Sequence, residues 1–394
     1  MKVAVLVNEL DIRGGTHKQV LRFCQYLKAQ NVDFKIYTKY CDISKTYPEF
    51  ANFDIVSLKK DESDFYDSTG SIVKKIENNY KYIQEQKELY KLIPEDTDII
   101  NVHDMGFPWL MYWARKRKKC STIWQINDLP ACFRVGNGQN LPDSKFLKIK
   151  RKIYRIMVKH VNRITVNVTK NKDRVQKCLN RNAEVLYCGV DVNHNLRMHS
   201  SNDFKDTINI LSVGVFLPYR NYETLVSVIG RLHENGINAY LNIIGSTALD
   251  NEYSAKIEKL IETYNLQQYI HIYGQVDDQT YNDLFNEANI FAFININQSW
   301  GLAVFEAMSC GLPVIVSNSV GAIELLHNGS DSIIVDPLDV DVICSAIKKL
   351  SSDGKYYNAL AAKGAEETKE YTWDNLYSSR MVQIFEQEVE KNKQ

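Results

Sequence analysis

Short apolar runs separated by amphipathic stretches recur along the whole chain. The first run, residues 1–7, is followed by Arg13-Gly14-Gly15-Thr16 and then by apolar positions at Val20, Leu21, Phe23, Cys24 and Leu27. Steps of three and four residues put those side chains on one helical face, so the segment predicts strand, glycine loop and helix. Further strands are predicted at 34–37, 98–102, 122–126 and 163–168. After residues 185–191 the chain turns polar and irregular over 194–206, which predicts a linker. A second series then begins, with strands at 208–214, 240–245, 270–274 and 290–294 and helices near 223–235 and 254–264. A helix at 303–309, stopped by Gly311 and followed by Pro313 and a strand at 314–316, continues it. Strand and helix alternating in both halves predict an α/β protein made of two Rossmann-like domains, each on its own parallel sheet.

The length supports that division, since 394 residues exceed one ordinary core. Hydrophobic residues at 44% and charged residues at 24% belong to a globular protein. No run of 18 or more apolar residues occurs, and the acidic Glu9 comes too soon for a signal peptide, so a cytoplasmic location is expected. Eight cysteines without a Cys-x-x-Cys pair or a His/Cys cluster indicate neither zinc nor a disulfide framework, but reduced and mostly buried thiols. Forty-eight Lys and Arg balance 48 Asp and Glu, which excludes a general nucleic-acid binder. The basic residues are nevertheless uneven. Residues 145–163, from Lys145 to Arg163, contain no Asp or Glu, and Leu147, Ile149, Ile153, Tyr154, Ile156, Met157 and Val161 recur there at mostly helical spacing. Arg115-Lys116-Arg117-Lys118-Lys119 adds a second cluster. Either these form a seat for an anionic membrane surface, or the apolar stripe packs on the sheet and the charges are solvated.

The most telling segment is 290–316. Between a buried strand and a helix stands Gln298-Ser299-Trp300-Gly301-Leu302-Ala303-Val304-Phe305-Glu306. In a parallel sheet this turn lies at the carboxyl edge, where the first N–H groups of the helix have no internal partner and make an anion site. Gln298 and Glu306 flank it. The run resembles the signature of the retaining glycosyltransferases of family 4, Glu-Gly-Phe-Gly-Leu, three residues, then Glu. The resemblance continues through Ala307-Met308-Ser309-Cys310-Gly311-Leu312-Pro313-Val314 and Val320-Gly321-Ala322-Ile323-Glu324-Leu325. It extends to the Gly-Gly loop, Asn101-Val102-His103, Leu211-Ser212-Val213-Gly214, Ile243-Ile244-Gly245 and Tyr371-Thr372-Trp373. It implies the GT-B architecture: a first domain over 1–192, a donor domain over 205–375, a cleft between them, and a C-terminal helix over 376–394 crossing back to the first domain.

The same resemblance implies roles. Transfer from a nucleotide-diphosphate sugar builds negative charge on the diphosphate, which needs a cation and aimed N–H groups. Arg220 falls where the family has a Lys, and the family's companion Arg aligns with Val215. Glu306 would take the ribose hydroxyls. Gln298, Ser299, Trp300, Gly301 and Leu302 would meet the donor sugar and distal phosphate, Gly15 the pyrophosphate, and Val276 the base, with UDP or GDP as carrier. Asn127 stands at the family's His position. Asp128 is the available carboxylate for an acceptor hydroxyl, or else the start of an Asx turn before Pro130. His103 lines the cleft floor or is a packed histidine. Residues 134–144 are expected to carry specificity. No Asp-x-Asp motif stands in a metal-ligand setting, and Asp277-Asp278 reads as a helix cap. The expectation is a retaining, metal-independent hexosyltransferase without cofactor. It would move a hexose-type sugar to a hydroxyl of a lipid-linked glycan in surface polysaccharide assembly, peripheral at the inner membrane face. Because Gln298, Asn127 and Val215 depart from the pattern, a non-catalytic GT-B partner stays open, as does a GT-B epimerase or phosphorylase.

Overall fold

In a computed structural model, which describes residues 1–59, 72–103, 107–133, 144–191, 196–201, 207–297 and 300–393, the chain forms two units. Unit 1 holds Met1–Gly189 and Trp373–Gln394, and unit 2 holds Val190–Thr372. Unit 1 runs β1 (Lys2–Leu6), β2 (Glu9–Leu10), α1 (Gly15–Ala29), β3 (Asp33–Cys41), β4 (Ile55–Lys59), α2 (Ile72–Leu92), β5 (Ile99–His103) and α3 (Pro108–Ala114). It continues with β6 (Ser121–Ile126), α4 (Lys145–Val158), β7 (Arg163–Val166), α5 (Thr169–Leu179) and β8 (Glu184–Val185). The strands pair in parallel in the order β2-β3-β1-β5-β6-β7-β8, with β4 beside β3. All six residues of β6 are buried, including Gln125, because helices cover both faces of the sheet.

Unit 2 runs β9 (Ile208–Val213), α6 (Tyr222–Glu234), β10 (Ala239–Ile244), α7 (Asn251–Thr263), β11 (Ile270–Gly274) and α8 (Asp278–Glu287). Then come β12 (Ile290–Phe293), α9 (Leu302–Ser309), β13 (Val314–Ser317), β14 (Ile333–Val335), α10 (Val340–Ser352) and α11 (Gly354–Glu367). Its parallel sheet has the order β11-β10-β9-β12-β13-β14. The core joins Ile210, Leu241, Ile243, Ile290 and Ile315 on the strands to Leu225, Val228, Ile229, Ile343 and Ile347 on α6 and α10. Burying one such side chain stabilises by about 1.5–3 kcal/mol.

Each sheet reverses its direction of growth once. In unit 1 the chain builds outward from β1 through β3 on one side and from β5 through β8 on the other. In unit 2 the corresponding gap lies between β9 and β12. Neighbouring loops turn away from each other there, leaving a crevice at the carboxyl ends of the strands where ligands of open α/β sheets bind.

Several elements differ from expectation. The predicted strand at 163–168 stops at Val166, since Val168 already caps α5. The edge strand β4 and the long α2 were not foreseen. In α2 the polar Glu85 and Gln86 occupy buried positions and break the apolar period, and Gln86 Oε1 accepts from the backbone N–H groups of Trp109 and Leu110 at the start of α3. Within the expected linker, residues 196–201 are fastened to unit 2: Arg197 N donates to Asn286 Oδ1 at 2.9 Å and His199 N to the Cys310 carbonyl at 3.0 Å.

The chain re-enters unit 1 at Trp373, makes a π-helical turn over Asp374–Ser378 and ends in α12 (Ser379–Lys393). Phe23 meets Tyr377 and Phe385 edge-on at 5.6 and 5.7 Å, and the buried Glu388 pairs with Arg163 at 3.3 Å. The eight cysteines are all free thiols, seven of them buried.

Candidate functional site

Three strands of unit 2 run into glycine: Gly214 follows β9, Gly245 follows β10 and Gly274 ends β11. These ends are stitched side by side, Gly214 N donating to the Ile244 carbonyl and Gly245 N to the Gly274 carbonyl, both at 2.8 Å. The loop after β9 then crosses the switch point. Ile296 N donates to the Tyr219 carbonyl at 2.7 Å, and the buried Asn221, at φ 57°, donates to the carbonyls of Ile294 and Pro337. This turn delivers Arg220. Its guanidinium carbon lies 5.2 Å from the Tyr219 ring centre and 5.8 Å from that of Phe293. It also rests on the bare backbone of Gly214, where a β-carbon would stand only 2.4 Å away. Two aromatic faces and a missing side chain thus hold the cation at the sheet edge. Val215, where the family's companion Arg aligns, leaves Arg220 as the cation supplied by this segment.

On the β12 side, α9 opens at Gly301, a cap residue that has no side chain to offer its first N–H groups. Four neighbouring helices are capped differently: Asp250, Asp277, Asp339 and Asp353 each accept the N–H three residues on, so Asp277 is the cap its sequence context predicts. Gly301 has extended backbone, and its need is space, since a β-carbon would come within 2.9 Å of the Phe293 ring. Trp300 is buried and stacks on Phe305 at 5.3 Å, and Leu302 begins the helix half-buried. Glu306, one turn in, accepts from the Tyr281 hydroxyl at 2.9 Å. Gln298 and Ser299 lie outside the described residues, as do residues 134–143 of the expected specificity loop.

Two contributors were not anticipated: Tyr281, which fixes Glu306, and Phe293, which backs both Arg220 and Gly301. The rings of Tyr281, Phe285, Phe291 and Phe293 follow one another at 4.6, 5.9 and 6.2 Å, an aromatic row that runs from the partner of Glu306 to the ring beside Arg220. Removing the hydroxyl with Tyr281→Phe should loosen the Glu306 carboxylate. The expected result is a several-fold rise in donor KM with kcat little changed and a stability loss of about 1 kcal/mol, read from steady-state kinetics and urea unfolding. Val276 follows β11 half-buried, three strand positions and so about 14 Å from β12 along the sheet edge.

In unit 1, Gly15 is the exposed first residue of α1, beside Gly14 at its cap. Asn127, after β6, spends its side chain internally: Nδ2 donates to Thr16 Oγ1 and Gln19 Oε1 at 3.2 and 2.8 Å, and Oδ1 accepts from Gln125 at 3.0 Å. It therefore pins the start of α1, and little of its hydrogen-bonding capacity is left for a substrate. Asp128 beside it is exposed.

His103, read as either a cleft-floor residue or a packed histidine, lies in the interior of unit 1. It is fully buried, with Nε2 2.7 Å from Asn101 Oδ1 and its ring against Phe23 and Tyr377. Burial pushes its pKa down to about 3, so it stays neutral in the folded protein. The unfolded chain takes that proton near pH 6.5, so the stabilisation is complete above this pH and is lost as pH falls toward 3. Between pH 6 and 4 the unfolding free energy of the native protein should fall more steeply than that of His103→Gln, by about 1.4 kcal/mol per unit.

Among the described residues no group of three or more His, Cys, Asp and Glu is placed to hold a metal ion, and no helix is long and apolar enough to cross a membrane. The class follows from this geometry. Sucrose-phosphate synthase of Thermosynechococcus elongatus superposes with a TM-score of 0.77 over 98% of both chains at 17% identity. HepE of Anabaena, solved with UDP-glucose, superposes with a TM-score of 0.73 over 98% of this chain and 100% of its own at 13% identity. These are GT-B folds. Residues 13–194 match the family model described as Glycosyltransferase Family 4 and residues 196–367 the one described as Glycosyl transferases group 1, and the chain belongs to this family. The O-antigen chain mannosyltransferase B of Escherichia coli is 31% identical over 117 residues, 30% of each chain. The chain spans less than a third of the length of the curated relatives it matches.

Proposed function

We propose that this protein is a retaining, metal-independent hexosyltransferase that uses a UDP- or GDP-sugar and no cofactor. It transfers a hexose-type unit to a hydroxyl of a lipid-linked glycan in surface polysaccharide assembly, working in the cytoplasm and peripheral at the inner membrane face through Lys145 to Arg163. The observation that carries the reading is the placement, at the unit 2 switch point, of the Arg220 guanidinium after β9 and of the glycine-opened α9 with its Glu306 carboxylate after β12, Phe293 lying against both Arg220 and Gly301.

The chemistry fits these parts. As the bond between anomeric carbon and phosphate oxygen breaks, charge gathers on the diphosphate, and Arg220 with the α9 N–H groups receives it. Arg supplies two parallel N–H donors where Lys supplies a point charge, so the exchange from the family residue keeps the role. Glu306 takes the ribose hydroxyls, backbone near Val276 meets the base, and Gln298 with Ser299 meets the donor sugar. The departing phosphate accepts the acceptor's proton on the same face, so no protein nucleophile is needed, and Asp128 is the carboxylate offered to an acceptor hydroxyl. The likeness to an O-antigen chain mannosyltransferase favours a polysaccharide acceptor.

Incubating the purified protein with UDP- and GDP-hexoses and a synthetic lipid-linked saccharide, with and without EDTA, tests this. An α-linked product from an α-linked donor, formed equally in EDTA, is expected. A donor changed without acceptor, or an inverted linkage, contradicts it.

A further inference from the structure

The basic stretch of unit 1 does not pack as its sequence stripe suggests. Helix α4, capped by Ser144 Oγ accepting from Leu147 N, turns Leu147, Arg151, Tyr154 and Val158 inward. Tyr154 meets Trp124 and Phe133, and the buried Arg151 donates from Nε to the Cys132 carbonyl at 2.7 Å. Ile149, Ile153 and Ile156 remain outside, 59, 45 and 53% exposed. Spaced four and three residues apart, they form one ridge. Around it Lys145, Lys148, Lys150, Lys152, Arg155 and Lys159 are exposed.

Helix α3 packs beside α4. Trp109, Tyr112 and Trp113 are half-buried on it, with ring centres 6.1 to 6.4 Å apart, and Arg115 covers the Tyr112 ring at 3.6 Å. Lys116, Lys118 and Lys119 follow, exposed, whereas Arg117 is turned inward to the carbonyls of Ile93 and Pro94.

We infer that α3 and α4 together form an insertion face for an anionic bilayer: the isoleucine ridge enters the acyl boundary, the aromatic rings sit at headgroup level and the cations meet lipid phosphates. Single exposed apolar residues are ordinary, but three on one face inside a field of like charge are not. Protein interfaces exclude Lys from their cores, while a basic helix with an apolar ridge and neighbouring Trp and Tyr suits the membrane interface. This sharpens the peripheral location proposed above and rests on it.

The test is flotation of the full chain with phosphatidylcholine vesicles with and without phosphatidylglycerol, with UDP- and GDP-induced thermal shifts read on the same samples. Wild type is expected to float only with the anionic vesicles. The triple variant Ile149→Ser, Ile153→Ser, Ile156→Ser should bind at least about tenfold more weakly, and so should Lys148→Gln, Lys152→Gln, Lys159→Gln, both keeping the nucleotide shift. Absence of wild-type flotation, or serine-variant binding equal to wild type, overturns the insertion face. So does a wild-type dimer that the serine variant converts to monomer without any vesicle binding. A missing nucleotide shift in wild type that floats would instead count against the transferase reading alone.

Discussion

Replacing Arg220 with alanine is expected to lower kcat/KM for sugar transfer by about 10²–10³-fold, the cost of removing one aimed group that meets transition-state charge. Stability should change by no more than about 1 kcal/mol, since the guanidinium lies against two rings at the sheet edge without filling the core. Arg220→Lys, which keeps the charge but loses the fork, should fall between. Gly214→Ala gives an independent check. Its methyl would stand 2.4 to 2.7 Å from the guanidinium Cζ, Nη1 and Nε, so the flexible end of Arg220 must swing away while the strand itself accepts the residue. A protein that melts like wild type yet transfers slowly is therefore expected from Gly214→Ala. Kinetics beside calorimetry would show it, and wild-type rates in either alanine variant would remove Arg220 from the mechanism.

Gly245→Ala should fail in the opposite way. Here φ is +155° and the added β-carbon would lie 2.0 Å from the Gly214 carbonyl oxygen, a backbone atom that no side-chain rotation relieves. Relief would need the ends of β9 and β10 to part, breaking the hydrogen bonds of Gly214 N to Ile244 and Phe216 N to Ser246. A loss of about 3–5 kcal/mol is expected, a fall on the order of 10 °C in the melting temperature. The same close approach is what sets the glycine edge on which Arg220 lies. Stability near wild type in Gly245→Ala would mean that this edge is looser than its geometry indicates.

The two glycines look alike in sequence, each ending an apolar strand, and only the pairing of β9 with β10 separates a glycine that makes room for a cation from one that makes room for backbone. The same limit recurs elsewhere. Strands such as β1 and β12 were legible because burial on both faces leaves a nearly unbroken apolar run, and α9 was placed to within a residue by Gly301 and Gly311. Helix α2 was not, because Glu85 and Gln86 are buried for their hydrogen bonds and so erase its period. Arg117 and Arg151 read as solvated charges although their guanidinium groups satisfy buried carbonyls. Asn127 owes its partners to a contact with α1 more than 100 positions away in sequence, which no local pattern displays. Arg220 and Glu306 are singled out by resemblance, whereas Phe293 and Tyr281, which contact them, looked like ordinary apolar and helical residues.

Thermal unfolding of the purified protein with UDP, GDP, ADP and CMP, each at millimolar concentration without added metal, tests the central claim most directly. A ligand at ~100 times its dissociation constant stabilises by about 2.7 kcal/mol, a clear rise in melting temperature. The account predicts such a rise with UDP or GDP, absent for the others and lost in Arg220→Ala. A folded protein whose melting temperature none of the four nucleotides moves would contradict it.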